Sequence, residues 1–315
     1  LDYTIEPNLK PMRQHEVTVG SEWAMRPDWL ISGRYVRKAL DRTIEDVGVM
    51  TAAGEKYFIC NPGFSVCEYV LGPQYPHTPR AKRVYDGVEV RLDKRPGKYW
   101  FLNLSYTWSR LWGNYGGLTS SDEWGRHSPN VNRFFDLLYT SYDRYVRPTY
   151  GLLPTDRPHT LKVFSGYTLH WWGMQTNFAG TFYAFSGTPR TTEVIMVSSI
   201  EIYANGRGDL GRTPTYTNTD FMIYHEIKPS KAHENVRLRV ELNIANLFNQ
   251  NGRLRYWNTY NRGEDIIDIS DADYFAGYDY EALIAAQGWR IDPRYGWTRQ
   301  WQEPRSMRFG VKFMF

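Results

Sequence analysis

The segment Ser306-Met-Arg-Phe-Gly-Val-Lys-Phe-Met-Phe315 alternates apolar side chains with polar or small ones. Because successive side chains of a strand point to opposite faces, Phe309 and Phe313 share one face, and Arg308 and Lys312 share the other. An apolar face opposite a charged face is typical of a strand in a membrane β-barrel. A soluble edge strand can alternate in the same way, so evidence from the rest of the sequence is needed to distinguish the two.

Alternating segments of this kind, bounded by Gly, Pro, Asn and Asp, recur along the 315 residues. They predict about nine strands, at 14–26, 29–46, 82–95, 98–115, 159–172, 175–190, 214–228, 235–249 and 305–315. A half-buried soluble sheet uses the same alternation. These segments are much longer than the roughly five or six residues usual for soluble strands, which favours the membrane interpretation.

The connections between the predicted strands alternate in length. The short ones lie at Pro27-Asp28, Pro96-Gly97, around Gly173 and at 229–233, and the long ones span about 47–81, 116–158, 191–213 and 250–304. Outer-membrane barrels have short periplasmic turns and long extracellular loops. The fold class predicted is therefore all-β, an antiparallel transmembrane β-barrel in the bacterial outer membrane.

Composition agrees with this fold class and excludes others. Aromatic residues make up 16%, with 24 Tyr and 12 Trp, as expected where aromatic belts meet two membrane interfaces. No stretch approaches the roughly 18 apolar residues of a spanning helix, so a helical membrane protein is excluded. The net charge of +4 carries no dense Lys/Arg run, which argues against nucleic acid as a partner.

An odd number of strands does not fit a complete barrel. Backbone groups in hydrocarbon must all be paired, so a spanning sheet has to close, and bacterial single-chain barrels close with an even number of strands. Residue 1 is Leu, and the first residues lack the features of a secretory signal. We therefore expect residues 1–315 to be the C-terminal portion of a larger barrel.

Several motifs resemble one known family. The segment Val240-Glu-Leu-Asn-Ile-Ala-Asn-Leu-Phe-Asn249 resembles the penultimate-strand signature of TonB-dependent outer-membrane receptors, in which Asn246, Leu247, Phe248 and Asn249 close the strand. Further segments resemble the Oar-like subgroup of large receptors: 99–117, 156–162 and Ser186-Gly-Thr-Pro189. The terminal Phe315 resembles the signal that the barrel-assembly machinery reads.

The resemblance implies a barrel of about 22 strands that imports a scarce nutrient with energy from an inner-membrane TonB complex. It places the plug domain and the TonB box before residue 1, so the TonB complex would be contacted through the missing N-terminal part. The ligand stays open among small molecules, glycans and peptides. The alternative is a surface β-barrel that binds glycan or peptide through aromatic loops, as an adhesin does, without transport.

The sequence offers no pattern for catalysis or for a cofactor. Its seven histidines show no His-Glu-x-x-His spacing, and Gly63-Phe-Ser-Val-Cys67 lacks the second glycine of a nucleophile elbow. We therefore expect no enzyme activity, no catalytic residues and no cofactor.

The two cysteines lie in the first long loop, in Cys60-Asn-Pro-Gly-Phe-Ser-Val-Cys67. A Pro-Gly turn between them brings the ends of this segment together, and an oxidising exterior favours a disulfide that contributes about 2.5 kcal/mol. The alternative is two free thiols.

The last long loop is acidic, and Asp268, Asp271 and Asp273 are weak candidates for Ca²⁺ ligands because calcium prefers oxygen donors. The spacing fits no EF-hand, and the favoured interpretation is a solvated loop that runs into a short helix at Glu281–Gln287. No other metal site is predicted.

The second long loop combines aromatic and basic residues, the types that stack on ligands. Its candidate ligand-contacting residues are Trp112, Tyr115, Trp124, Arg126 and Arg133. Packing of one loop on another would use the same aromatic side chains and is the favoured interpretation.

Overall fold

The computed structural model describes residues 4–117, 135–172, 174–197, 200–227 and 236–315. In chain order its strands are β1 (Thr4–Ile5), β2 (Arg13–Arg26), β3 (Trp29–Arg42), β4 (Glu45–Thr51), β5 (Gly54–Cys60), β6 (Arg83–Lys94), β7 (Trp100–Gly113), β8 (Gly151–Leu152), β9 (His159–Trp171), β10 (Met174–Phe185), β11 (Val194–Met196), β12 (Ile200–Ile202), β13 (Tyr216–Ile227), β14 (Arg237–Ala245), β15 (Arg253–Tyr256), β16 (Thr298–Trp301) and β17 (Ser306–Met314). The helices are α1 (Asp271–Ala276) and α2 (Tyr280–Ala286). Among the described residues, no helix is both long enough and apolar enough to cross a membrane.

One large antiparallel sheet organises the chain. Its strand order is β17-β14-β13-β10-β9-β7-β6-β3-β2, with the short β8 paired to β7. The nine strands on this path are the nine that the alternating sequence pattern predicts, so that prediction is confirmed. Over the described residues the sheet does not close, and β2 and β17 are its two edges.

The two faces of the sheet differ in chemistry. On one face, register places Tyr35 beside Val88 and Val88 beside Trp108, and the three side chains are 37%, 40% and 46% exposed. On the same face at the other edge, Leu242 pairs with Phe309, which is 68% exposed. An exposed apolar face that extends from edge to edge is what a sheet needs in order to lie against hydrocarbon.

The opposite face is lined by charged and polar pairs between neighbouring strands. Arg34 pairs with Glu89 at 2.6 Å, Lys312 pairs with Glu241 at 2.9 Å, and Asn103 donates to Asp93 at 2.7 Å. Arg239 of β14 pairs with Glu226 of β13. These side chains stand on alternate positions from the apolar ones, as period-two geometry requires.

The connections at one end of the sheet are short. Residues 27–28 join β2 to β3, and residues 95–99 join β6 to β7. Lys94 at this end forms an ion pair with Asp28 at 3.1 Å and lies over the Trp100 ring at 4.8 Å. Trp100 in turn meets Trp29 edge-on at 5.8 Å, which gives this end an aromatic rim on the apolar face.

The long connections at the other end fold together. We call the described parts of residues 43–82, 114–158, 186–215 and 246–305 the cap. All four connections contribute to one apolar core, whose fully buried side chains include Val47, Val70, Phe135, Met196, Ile202, Ile267 and Tyr274. The main buried core of the chain therefore lies in the cap, because the sheet keeps one face for lipid.

Candidate functional site

The hairpin of β11 and β12 sorts its side chains by alternation. Val194, Met196, Ile200 and Ile202 point into the cap core and are at most 4% exposed. The register pairs Val194 with Ile202 and Ile195 with Glu201, so Glu201 lies on the opposite face. Glu193 precedes β11 by one residue and continues that same face. Two carboxyl groups are thus held side by side by the apolar packing of their neighbours.

Arginines from a second hairpin face these carboxyl groups. Arg255 of β15 and Arg299 of β16 both interact electrostatically with Glu193 and Glu201. Burial, and after it the neighbouring Glu201, raise the pKa of Glu193 to about 8 against the opposing effect of Arg255. Burial also raises the pKa of Glu201, and burial together with Arg299 lowers the pKa of Arg255 to about 10.

Stacked rings and guanidinium groups border this arrangement. The Arg190 guanidinium lies 3.8 Å from the centre of the Tyr256 ring, and those of Arg294 and Arg299 each lie 4.1 Å from the centre of the Trp257 ring. Cation–π contacts of this kind fix the orientation of long arginine side chains.

Two buried polar atoms beside these rings make no hydrogen bond within the described structure: Arg190 Nε and Asn258 Oδ1. Native interiors leave few such atoms unpaired, and a bound ligand or water would supply the partner. We call Arg190, Glu193, Glu201, Arg255, Asn258 and Arg299 the polar cluster. It offers both signs of charge and spare hydrogen-bonding capacity, which suits recognition of a polar molecule.

The polar cluster is absent from the sequence predictions above. Its signal is the alternation Glu193-Val-Ile-Met196 and Ile200-Glu-Ile-Tyr203, in which acidic and aromatic residues alternate with aliphatic ones. Segments this short are weak signals for strands. The approach of Arg255 and Arg299 to the two glutamates joins residues that are tens of positions apart in the chain, which no local pattern reveals.

The three weak calcium candidates, Asp268, Asp271 and Asp273, do not form an evident metal site, and calcium binding stays a prediction. Within the described residues, no group of three or more His, Cys, Asp or Glu side chains is placed to hold a metal ion. Asp271 accepts a hydrogen bond of 2.5 Å from Tyr139, and Asp273 accepts one of 2.6 Å from Ser270, the N-cap of α1. The carboxylates of Asp271 and Asp273 therefore hold helix α1 in place, and the Asp268 carboxylate takes no part in these two hydrogen bonds. The predicted helix at 281–287 is present as α2.

The predicted aromatic ligand loop is divided between described and undescribed residues. Trp124, Arg126 and Arg133 lie outside the described residues. Trp112 stacks on Tyr150 at 5.5 Å, and Tyr115 packs against Phe135 at 6.3 Å. Burial raises the pKa of the Tyr115 hydroxyl, which also hydrogen-bonds Thr43 and Glu45. Both described members thus pack against cap residues, Trp112 from the end of β7, and ligand contact by this set stays a prediction.

Cys60 and Cys67 form a disulfide with their Cα atoms 6.5 Å apart. Between them Gly63 adopts a positive φ of 77° and donates to the Cys67 carbonyl at 3.0 Å. Both half-cystines are fully buried in the cap core. The bridge closes β5 onto the turn that follows it.

The four signature residues form the turn after β14. Asn246 and Asn249 both have φ of 52°, a left-handed conformation that Asn tolerates better than most residues. The Asn246 amide donates to the carbonyls of Gln250 and Glu303, at 2.8 and 2.9 Å, and accepts from the Gln250 N–H at 2.7 Å. Leu247 N–H donates to Thr219, while Phe248 is 69% exposed. The signature therefore fastens β14 to the chain that leads into β17.

The other motifs meet at the cap end of the strands. The Asp156 carboxylate is buried, pairs with Arg212 and accepts from Leu111 N–H at 2.5 Å. Arg212 also donates to the Gly187 carbonyl at 2.9 Å. A Cβ on Gly187 would lie 1.6 Å from the Thr213 carbonyl oxygen, so only glycine fits. We call Leu111, Asp156, Gly187 and Arg212 the rim clamp, because it ties β7, β9 and β10 together where the cap begins.

Phe315 follows β17 and is 95% exposed, 6.0 Å from the Phe313 ring. Apart from this ring contact its side chain is accessible. Recognition by assembly machinery stays a prediction.

Comparisons with known proteins agree with the two-faced sheet. A family model described as TonB dependent receptor-like, beta-barrel, matches residues 2–247. The chain is 30% identical over 329 aligned positions to a protein named TonB-dependent transporter Oar from Myxococcus xanthus. That alignment covers 99% of the chain and 29% of the relative, so the chain spans less than a third of the length of the protein it matches.

Proposed function

This chain belongs to the TonB-dependent receptor β-barrel family, whose members lie in the bacterial outer membrane, and from that premise we propose that it forms the C-terminal barrel portion of a transporter. The intact transporter imports a scarce polar nutrient and draws energy from the inner-membrane TonB complex. The TonB complex acts through a plug and a contacting segment that lie outside residues 1–315.

One observation carries this proposal: a sheet with an apolar exposed face and a polar face has two open edges, at β2 and β17. Edge N–H and C=O groups in hydrocarbon have no water to bond, so the edges need further strands. Partner strands that complete a barrel of about 22 satisfy both edges at once. The coverage of 29% of the Oar relative supports a barrel portion of this size.

The polar cluster supports a role in ligand recognition. It lies in the cap, on the side of the sheet where the long loops gather, and a ligand that enters the barrel meets the cap first. Arg255 and Arg299 can bind an anionic group, and the protonated Glu193 can donate a hydrogen bond. The unpaired Arg190 Nε and Asn258 Oδ1 add one donor and one acceptor.

The test compares nutrient depletion by cells that carry or lack the intact protein, each with and without a functional TonB complex. Mass spectrometry of the growth medium measures which compounds disappear. We expect at least one polar compound to be depleted only when both components are present. Depletion that is identical in all four strains contradicts import, and cell-surface binding that survives loss of TonB without uptake favours the binding-protein alternative.

A paired set of variants tests the polar cluster. Replacement of Arg255 and Arg299 by Ala is expected to abolish uptake while the barrel still shows its heat-dependent gel shift. The control replaces Arg262 and Arg290, two exposed arginines of the same cap, and is expected to retain uptake. If both double variants lose uptake equally, the effect comes from the overall charge of the cap, and the polar cluster has no specific role in uptake.

A further inference from the structure

The apolar face of strands β3, β6 and β7 is built in rows of three side chains that lie opposite one another in the sheet. Three successive rows carry no charge: Ile31, Leu92 and Leu104, then Gly33, Val90 and Tyr106, then Tyr35, Val88 and Trp108. The third row ends this apolar stretch with a Tyr and a Trp, the residue types found where hydrocarbon meets the headgroups. The next row toward the cap therefore lies at the level of the outer-leaflet headgroups.

That next row is charged. The register places Arg37 beside Asp86 and Asp86 beside Arg110. Each of these residues lies two positions from a member of the row below, so all three side chains share the lipid-facing side. The Tyr35 hydroxyl, which belongs to the row below, donates a hydrogen bond of 2.6 Å to Asp86. The apolar face thus changes to a charged one within a single row.

The positive charge of this row exceeds the negative charge. Asp86 forms an ion pair of 2.8 Å with Arg37. Arg110 is exposed and forms no ion pair among the described residues. Lys82 is also exposed and lies 5.5 Å from the centre of the Tyr150 ring. We call Arg37, Lys82, Asp86 and Arg110 the outer rim patch, in which three cations and one carboxylate leave a net charge of +2.

The surroundings of the outer rim patch do not neutralise this charge. The nearby Arg13 and Asp41 pair with each other at 2.6 Å, so together they add no net charge. Above the patch, Trp112 stacks on Tyr150 at 5.5 Å and offers apolar surface. The positive charge therefore calls for an anion from outside the described chain.

The position of the patch indicates what kind of anion fits. A guanidinium group matches the oxygen atoms of a phosphate with two parallel hydrogen bonds. A free anion would contact the charged row alone and leave the three apolar rows below it uncovered. A lipid carries a phosphate and hydrocarbon chains in one molecule, in the same order as the charged row and the apolar rows follow each other on the sheet.

We propose that the outer rim patch binds the phosphate-bearing headgroup of an anionic lipid in the outer leaflet. The phosphate lies against Arg110 and Arg37, and the acyl chains run along the apolar rows. Asp86 competes with the phosphate for Arg37, so it limits the affinity. The proposal uses the outer-membrane location of the family and does not depend on the transport function proposed above.

The test places the intact protein in nanodiscs that contain equal amounts of diphosphoryl lipid A and phosphatidylcholine. Native mass spectrometry then counts the molecules of each lipid that stay on the released protein. We expect lipid A to be retained in preference, and R110Q to reduce that preference about fivefold, the factor for one basic residue at an anionic surface. R110K keeps the charge and is expected to keep most of the preference. An unchanged preference in R110Q overturns the proposal.

Two further variants separate the patch from the general charge of the barrel. D86N removes the competing carboxylate and is expected to increase retention of lipid A, a gain that a damaged fold would not produce. The matched control R91Q removes an arginine of β6 that lies on the opposite, polar face, where it pairs with Asp93 at 3.6 Å. It is expected to leave the preference unchanged. An equal loss in R91Q and R110Q, or a loss in D86N, overturns the proposal.

Inorganic phosphate distinguishes a lipid site from a site for a free anion. An excess of inorganic phosphate outside the nanodisc is expected to leave most of the lipid A in place, because the acyl chains also hold it. If inorganic phosphate lowers retention to the level of R110Q, the patch binds a free anion and the lipid assignment is overturned. The heat-dependent gel shift checks that each variant keeps its barrel.

Discussion

The backbone at Asn246 explains why an amide side chain stands at this point of the family signature. The residue has a left-handed φ of 52° and is only 3% exposed, and its side chain bonds the main chain of two separate segments. Glycine could supply the backbone conformation but would leave those main-chain groups without partners. Few other residues meet both requirements, because L side chains are strained in this conformation.

Two substitutions separate these roles. Asn246→Gly removes only the side-chain hydrogen bonds and is expected to lower the free energy of unfolding by about 2 kcal/mol. Asn246→Ala adds the left-handed strain and is expected to cost about 1 kcal/mol more. Urea titration of the folded protein in detergent micelles measures both values, and Phe248→Ala, at an exposed position, is the control. Equal costs for Gly and Ala contradict the role of the backbone conformation.

The Glu193 carboxyl gives the cap a dependence on pH. Its pKa is raised from 4.5 to about 8, so the folded protein holds this proton more tightly than the unfolded chain does. The stability that comes from the protonated group is therefore full below about pH 4.5 and is lost as the pH rises through 8.

At pH 4.5 we expect the double variant Glu193→Gln, Glu201→Gln to be about as stable as the unchanged protein. Between pH 5 and 9 we expect the double variant to lose less stability than the unchanged protein does. Both carboxyl groups are replaced because burial, and after it Glu201, raise the pKa of Glu193, and burial raises the pKa of Glu201 as well. The thermal midpoint of the cap, followed over this pH range, measures the difference. If the thermal midpoints of the two proteins change with pH in parallel, the pH dependence does not come from these carboxyl groups.

At the scale of elements, the rim clamp joins strands that are neighbours in the sheet but distant in the chain. Asp156 is 1% exposed, while its partner Arg212 has a side chain 29% exposed. Loss of one partner leaves the other charge poorly compensated where water is scarce. The motif residues at these positions therefore hold the strand ends in place rather than contact a ligand.

Asp156→Asn keeps the size of the side chain and removes its charge, and it is expected to destabilise the protein by about 2 kcal/mol. The matched control is Asp41→Asn, which breaks the pair with Arg13, whose side chains are 41% and 51% exposed. That change is expected to cost less than about 1 kcal/mol. Urea unfolding measures the free energy of unfolding of both variants. A similar loss of stability in the two variants would contradict a special role for the buried pair.

The spanning strands could be predicted from sequence because their signal is local and long. Alternation over nine to fourteen residues is enough to locate each strand in the sequence, as β2 and β17 show. The predicted ends of 29–46 and 175–190 run past Arg42 and Phe185, since alternation continues where the chain leaves the sheet for the cap.

The short elements of the cap were less predictable. Strands β11, β12, β15 and β16 have three or four residues each, too few to establish a period. Helix α1 carries a usable signal in Ser270-Asp-Ala-Asp273, because Ser270 and Asp273 stand at the capping positions. Its acidic residues instead favour a solvated loop with a weak calcium candidate, because composition alone does not mark a helix start.

For the whole molecule, the shared core implies that the four long connections do not move independently. Met196 is fully buried among residues from the other connections. Met196→Ala is expected to cost about 2–5 kcal/mol of cap stability. Hydrogen exchange should then increase in all four connections together, while the strands keep their protection. Ile195→Ala, on the other face of the hairpin, is the comparison. An increase confined to residues near 196 contradicts a single cooperative cap.

The hydrogen bond from Tyr274 to the Tyr139 carbonyl joins residues 135 positions apart, and the Tyr139 hydroxyl returns a bond to Asp271. Contacts of such high contact order form slowly, because a long stretch of chain must be ordered before they are made. We therefore expect the cap to form late in folding. Its four connections share one core, so we expect closure of the cap, rather than pairing of the strands, to be the last step in folding.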